Sequence, residues 1–231
     1  LFMKFNQNNV GTIEDANAVA LEEMIAPVQA LKNVIVTVAI YDNLIDYYFA
    51  RGNHAMVKEY GAKAMATGEA FTETYYRLAY TLYYQDKNVA EAMKVIEAGL
   101  KYGPNNATTN LKLSICYAEG KKAYAAKDFA TAISYFSKYT TAFGGSDRAF
   151  AWQGFANYEA KKYPEALKAF QTVKKMASPA TGKIYYPNLD ALIAFAKNPA
   201  AAAPAIQNGL AETETNEALV DGAIILFDLG K

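Results

Sequence analysis

The sequence predicts an all-α fold, a stack of antiparallel helical hairpins, and three observations carry that prediction. One turn-and-helix pattern returns four times: Arg51-Gly52-Asn53-His54-Ala55-Met56-Val57, Asp86-Lys87-Asn88-Val89-Ala90-Glu91-Ala92, Ala126-Lys127-Asp128-Phe129-Ala130-Thr131-Ala132 and Lys161-Lys162-Tyr163-Pro164-Glu165-Ala166. With Val57, Ala92, Ala132 and Ala166 taken as equivalent, the spacings are 35, 40 and 34 residues, within the range of helical repeats. A small residue is also followed one turn later by a bulky one, as in Ala92 and Ile96, Ala132 and Phe136, Ala166 and Phe170. Finally, both helices of each unit carry an apolar stripe at helical spacing. One hairpin cannot bury both stripes, so neighbours must stack.

The elements follow in order. Residues 14–32, from Glu14 to Lys32, read as a helix with Pro27 as a kink or break, an N-terminal cap of the stack. Val34-Ile35-Val36-Thr37-Val38-Ala39-Ile40 has the composition of a strand, but an isolated strand would lack a partner, so it is assigned to buried helix. The expected organisation is a capping helix or hairpin at 1–37, four hairpins at 38–180, and a degenerate hairpin plus terminal helix at 181–231. Between Ala92 and Ala132 six extra residues predict a longer helix carrying Leu111, Leu113, Ile115 and Cys116. The helix before Ala92 runs one residue long if Ala79 takes the close-contact place; strict spacing would put Tyr80 there. Past Pro179, Asn188–Lys197 and Ala200–Glu212 are expected to pair across Asn198-Pro199, and Asn216–Leu229 to form a further helix. The chain starts on Leu1 and ends Leu229-Gly230-Lys231, like a turn before another helix, so continuation of the natural chain is the expectation.

Read position by position, residues 38–180 resemble the tetratricopeptide repeat family. The small residue of the second helix is Ala92, Ala132 and Ala166, and the large one a turn later is Ile96, Phe136 and Phe170. First-helix glycines stand at Gly120 and Gly154, with Ile45 and Ala79 in the other units. The closing proline is Pro104, in Tyr102-Gly103-Pro104-Asn105-Asn106, and Pro179 lies near that place in the last unit. The first unit departs: Val57 is bulkier than the pattern, and Gly61 stands where the large residue belongs, with Tyr60 as its substitute. The resemblance implies a right-handed superhelical solenoid whose first helices line a concave, partner-binding surface.

Composition and motifs exclude several functions. Lys and Arg number 23, as do Asp and Glu, so there is no basic footprint for nucleic acid. No apolar stretch approaches the roughly 20 residues of a membrane span. Cys116 is the single cysteine, which forbids an intrachain disulfide and leaves the compartment open; the glycine, tyrosine and small-residue usage reads as bacterial, with the periplasm as the compartment expected. His54 is the only histidine, lying in a turn, while Cys116 lies on an apolar helix face. The two supply neither a zinc site nor a Cys–His nucleophile. Phe143-Gly144-Gly145-Ser146-Asp147 is a turn before a helix capped by Ser146 or Asp147, not a phosphate loop. The acidic pair Glu22-Glu23 and the run Glu212-Thr213-Glu214 fit solvated helix ends. No catalytic residue, metal or cofactor is expected.

On the register with Ala79 at the close-contact place, the inward residues of successive first helices are Asp42, Asp46 and Phe49; Tyr76, Tyr80 and Tyr83; Tyr117, Lys121 and Tyr124; and Ala151, Phe155 and Tyr158. Strict spacing would exchange the second set for Arg77, Thr81 and Tyr84. The recurring Phe49, Tyr83, Tyr124 and Tyr158 are ordinary packing in the family, whereas Tyr76, Tyr80 and Tyr117 point to a groove for a peptide or a sugar. Asp42 and Asp46 make one end acidic, and Lys121 and Arg148 supply basic points. Two aspartates at that place would repel the carboxylate tails that chaperone-binding family members clamp. The expected function is therefore a non-catalytic protein–protein interaction scaffold. Alternatives are glycan or small-ligand recognition, or a helical module of a larger multidomain protein; self-association through terminal hairpins is a further expectation.

Overall fold

The hairpins are set by short connections that repeat one backbone solution. A residue in the left-handed conformation closes one helix, and the next residue caps the following one. Lys32, Gly52, Lys87, Lys127 and Lys161 have φ between 53° and 69°. Asn33, Asn53, Asn88 and Asp128 come immediately after, and each accepts a backbone N–H three residues on, at Val36, Met56, Glu91 and Thr131. In three turns the capping residue's N–H reaches the carbonyl five residues back, Asn53 to Tyr48, Asp128 to Ala123 and Lys162 to Asn157. In the fourth, Asn88 reaches six residues back, to Leu82. That extra residue lies in the turn rather than in the helix expected to run long: the helix ends at Tyr84, and four residues, 85–88, make the connection instead of three. Ala79 is thereby left fully buried while Tyr80 is half-buried.

The structure, a computed structural model, describes residues 15–103, 105–141 and 146–176 together with 193, 196 and 197. Every regular element among them is a helix: α1 (Asp15–Ala30), α2 (Val34–Ala50), α3 (His54–Ala66), α4 (Thr72–Tyr84), α5 (Val89–Leu100), α6 (Asn106–Ala125), α7 (Phe129–Thr141), α8 (Asp147–Glu159) and α9 (Tyr163–Met176). The Val34–Ile40 run is helical, as its lack of a strand partner requires. Because α2 begins at Val34, the boundary expected between 37 and 38 falls inside one helix. Pro27 sits inside α1 without ending it. The α6 helix, at 20 residues, absorbs the extra length before Ala132. Ser146 caps α8 by accepting the Ala149 N–H. Pro104 and Pro179, the Ala200–Glu212 and Asn216–Leu229 helices, and most of Asn188–Lys197 lie outside the described residues.

The chain divides into two compact units, residues 1–115 and 116–231. In the first, α1 packs on α2, α2 on α3, α3 on α4 and α4 on α5, and α2 also meets α4. Val57 and Ala92 are fully buried, as are Ile40, Leu44, Ile45 and Ile96. The first hairpin exchanges small for large: Tyr60 is a core residue stacked on Tyr41 and Tyr48, and Gly61 makes room for Leu78 of α4. In the second unit α8 packs against both α7 and α9. Ala132 and Ala166 are fully buried beside Phe136 and Phe170. Gly120 and Gly154 make room for those two phenylalanine rings; an added Cβ at Gly120 would stand 2.7 Å from Phe136. Close helix approach is thus a local swap of a side chain on one helix for none on its neighbour.

Candidate functional site

The polar and aromatic side chains foreseen on the first helices fall into two separate arrangements, one in each unit. In the first unit α2 and α4 meet along a seam whose contacts are in order along both helices. Thr74 Oγ1 donates to Asp42 Oδ1 at 2.8 Å. One turn on, Arg77 Nε lies 2.5 Å from Asp46 Oδ1, and its Nη1 lies 3.9 Å from Asp42 Oδ1. One turn further, Phe49 packs edge-on against Tyr80, with ring centroids 5.3 Å apart. Tyr80 then contacts Tyr76 and Tyr84, and Tyr84 contacts Tyr83. The seam therefore runs from a charged end to an aromatic end. Phe49, Tyr76, Tyr80 and Tyr83 are half-buried, and Tyr84 is exposed.

Electrostatics at the charged end are dominated by burial. Desolvation pushes the Asp46 carboxyl up to about 6, against the pull of Arg77 and with a further push from Asp42 and Glu73. Burial raises Asp42 as well, opposed by the Thr74 hydrogen bond and Arg77. Arg77 supplies one cation to two aspartates. The expected acidic end is thus a partly neutralised ion cluster, and Arg77, which appeared only in the strict-spacing set, is the residue that organises it.

In the second unit, Lys121 Nζ lies 5.6 Å from the Tyr117 ring centroid and 5.0 Å from that of Trp152, and the Arg148 guanidinium lies 5.6 Å from Tyr117. Trp152 stacks on Phe136 and meets Tyr124 edge-on at 5.3 Å. Tyr117, Tyr124 and Trp152 are half-buried and Lys121 is exposed, so this is a cationic aromatic surface. Trp152 stands half at the surface. Ala151 and Phe155 lie elsewhere: both are buried in the core cluster that contains Phe170. Tyr158 packs on Tyr163 of α9.

The recurring last aromatics have a structural task. The carbonyls of Phe49, Tyr124 and Tyr158 accept the N–H of Gly52, Lys127 and Lys161, closing the turns, while the rings of Tyr124 and Tyr158 rest on the first residues of the following helices. The α4 tyrosines exceed that need. A third network, absent from the sequence reasoning, ties α1 down: Glu22 Oε1 accepts from the Tyr48 and Tyr60 hydroxyls at 2.6 and 2.9 Å. Its signal in the sequence is the acidic pair Glu22-Glu23, of which Glu22 turns inward to the two hydroxyls rather than to solvent.

Among the described residues no three His, Cys, Asp or Glu side chains gather as metal ligands, and no helix is long and apolar enough to cross a membrane. His54 opens α3, and Cys116 is a fully buried thiol. No family model matches the chain, and no curated protein matches it.

Proposed function

We propose that the chain is a non-catalytic helical-repeat scaffold of the tetratricopeptide kind, holding a segment of a protein partner against the aromatic side of its first helices. The observation that carries this is the α2–α4 seam. Its rings are packed against one another beyond what turn closure requires, yet they stay partly exposed to solvent. Tyrosine and phenylalanine fixed in this way give apolar contact area at little conformational cost, the usual character of binding hot spots. The order of charged and aromatic contacts also gives the surface a direction, which suits an extended segment better than a compact ligand.

Selection of 12-residue peptides displayed on phage against the whole chain tests the proposal. Enriched peptides are expected to lose about tenfold or more in affinity to Tyr80→Ala or Tyr117→Ala, the loss typical of a hot spot. Peptides that bind both variants as well as the parent would refute it. A second reading, glycan recognition, is favoured by the part-exposed Trp152 beside Tyr117 and Lys121, because sugar rings stack on such faces. Titration with an oligosaccharide panel should then quench Trp152 fluorescence, and unchanged emission rejects that reading.

A further inference from the structure

We propose that the charged end of the α2–α4 seam captures a cationic side chain, a lysine or arginine that the partner segment carries next to an apolar residue. This rests on the partner-binding reading above and names the chemistry the partner must bring. Charge complementarity is the first argument. The charged groups that act on Asp46 are Arg77, Asp42 and Glu73, three carboxylates in all against one guanidinium. Arg77 is also largely committed, with its side chain 14% exposed. A second cation would complete the neutralisation at a place where burial makes each charge count for more than it would in open water.

Unused hydrogen-bonding capacity is the second, independent argument. Arg77 Nε holds Asp46 Oδ1 in a close ion pair, whereas Arg77 Nη1 lacks a hydrogen-bond partner. Thr81 is fully buried and its Oγ1 has no hydrogen-bond partner. Thr74, Arg77 and Thr81 follow at spacings of three and four, which sets them on one face of α4, the face that Asp42 and Asp46 meet. Groups of this kind are normally satisfied when buried. Arg77 Nη1, on the part-exposed side of the seam, therefore marks where a carbonyl of the partner segment would settle beside the cation that the part-exposed Asp46 carboxylate receives. The third argument is adjacency. Phe49 and Tyr80 begin one turn beyond Asp46, so a cation held at the carboxylates would have ring faces beside it and an apolar neighbour would cover them.

The experiment uses the whole chain and three fluorescein-labelled hexapeptides of alternating sequence: Lys with Trp, Gln with Trp, and Glu with Trp. Anisotropy is read at about 0.15 M salt, where exposed charges are already screened. The Lys peptide is expected to bind about tenfold tighter than the Gln peptide, and the Glu peptide weakest, as truncation of a buried charge contact predicts. Asp46→Asn and, separately, Asp42→Asn should bring the Lys peptide down to the level of the Gln peptide, with circular dichroism confirming that the helices remain. Because burial holds Asp46 near 6, the Lys preference should also fade as pH falls from 7.5 through 6, when the carboxylate gains a proton. Equal binding of the Lys and Gln peptides, or a Lys preference that survives Asp46→Asn, overturns the cation assignment. In that case Tyr80-dependent binding of the Gln peptide would leave the partner-binding reading standing. Failure of all three peptides to bind at about 1 mM, the limit of weak recognition, overturns both.

Discussion

At the scale of single residues, the small-to-large pairs decide how closely the helices approach. Gly120 faces the buried Phe136 ring, and a methyl group there would stand at 2.7 Å, a distance real carbon atoms do not tolerate. Alanine's better helix propensity contributes up to about 1 kcal/mol, while overpacking a filled core costs about 1–3 kcal/mol. Gly120→Ala should therefore destabilise by about 1–2 kcal/mol in urea melts. Gly61 provides the contrast. Its nearest neighbour is the Leu78 Cδ2 methyl at 3.2 Å, the tip of a side chain that can shift, so Gly61→Ala should be neutral or gain up to about 1 kcal/mol. Both helices keep their length in each variant, so the difference isolates packing from propensity. Equal melts for the two would refute the account.

At the scale of elements, α1 is held by a carboxylate that two other helices share. Tyr48 of α2 and Tyr60 of α3 both donate to Glu22 of α1. Their burial and that bond push the Tyr48 hydroxyl up to about 12 from 10.0 and raise Tyr60 as well. A folded value above the unfolded one gives stability that is complete below about pH 10 and is lost as pH rises through 12, so the clamp is intact at neutral pH. Glu22→Ala removes two charge-assisted hydrogen bonds and should destabilise the docking of α1 by about 2 kcal/mol, given about 1.5–3 kcal/mol for such bonds and partial solvent access. The readout is protease cleavage within α1, appearing before any change in α4 or α5; simultaneous cleavage everywhere would contradict a local clamp. The α4–α5 turn makes a related point. One added residue there, bonded from Asn88 to Leu82, rotates no core side chain out of place because the turn absorbs it after α4 has ended at Tyr84.

At the scale of the molecule, each unit is built mainly from contacts between neighbouring helices, joined by skipped pairs such as α2 with α4 and α6 with α8. Energetics in such an arrangement are close to a sum of local terms, so damage should stay local. Phe170 is fully buried between α8 and α9, and Phe170→Ala should cost about 3–5 kcal/mol, as emptying a packed aromatic site does. Hydrogen exchange is expected to accelerate in α8 and α9 while the amides of α1–α5 keep their protection. Uniform acceleration across the chain would show a single cooperative core instead. The balanced charge, 23 of each sign, belongs to the same scale: recognition has to arise from local clusters such as the seam rather than from a global field.

The sequence by itself determined where the helices lie and what closes them, because those are local matters. Left-handed Lys or Gly followed by Asn or Asp, small residues a turn ahead of large ones, and helical spacing all act within a few residues. The burial of Ala92, Ala132 and Ala166 was legible for that reason. Tertiary structure alone decided which faces meet. Arg77 became the partner of Asp46, Phe155 was drawn into the core, and Glu22 was turned toward two tyrosines. Each outcome depends on a helix rotation of one residue, about 100° around the axis. Spacing along a chain does not fix that angle; contact with a second helix does.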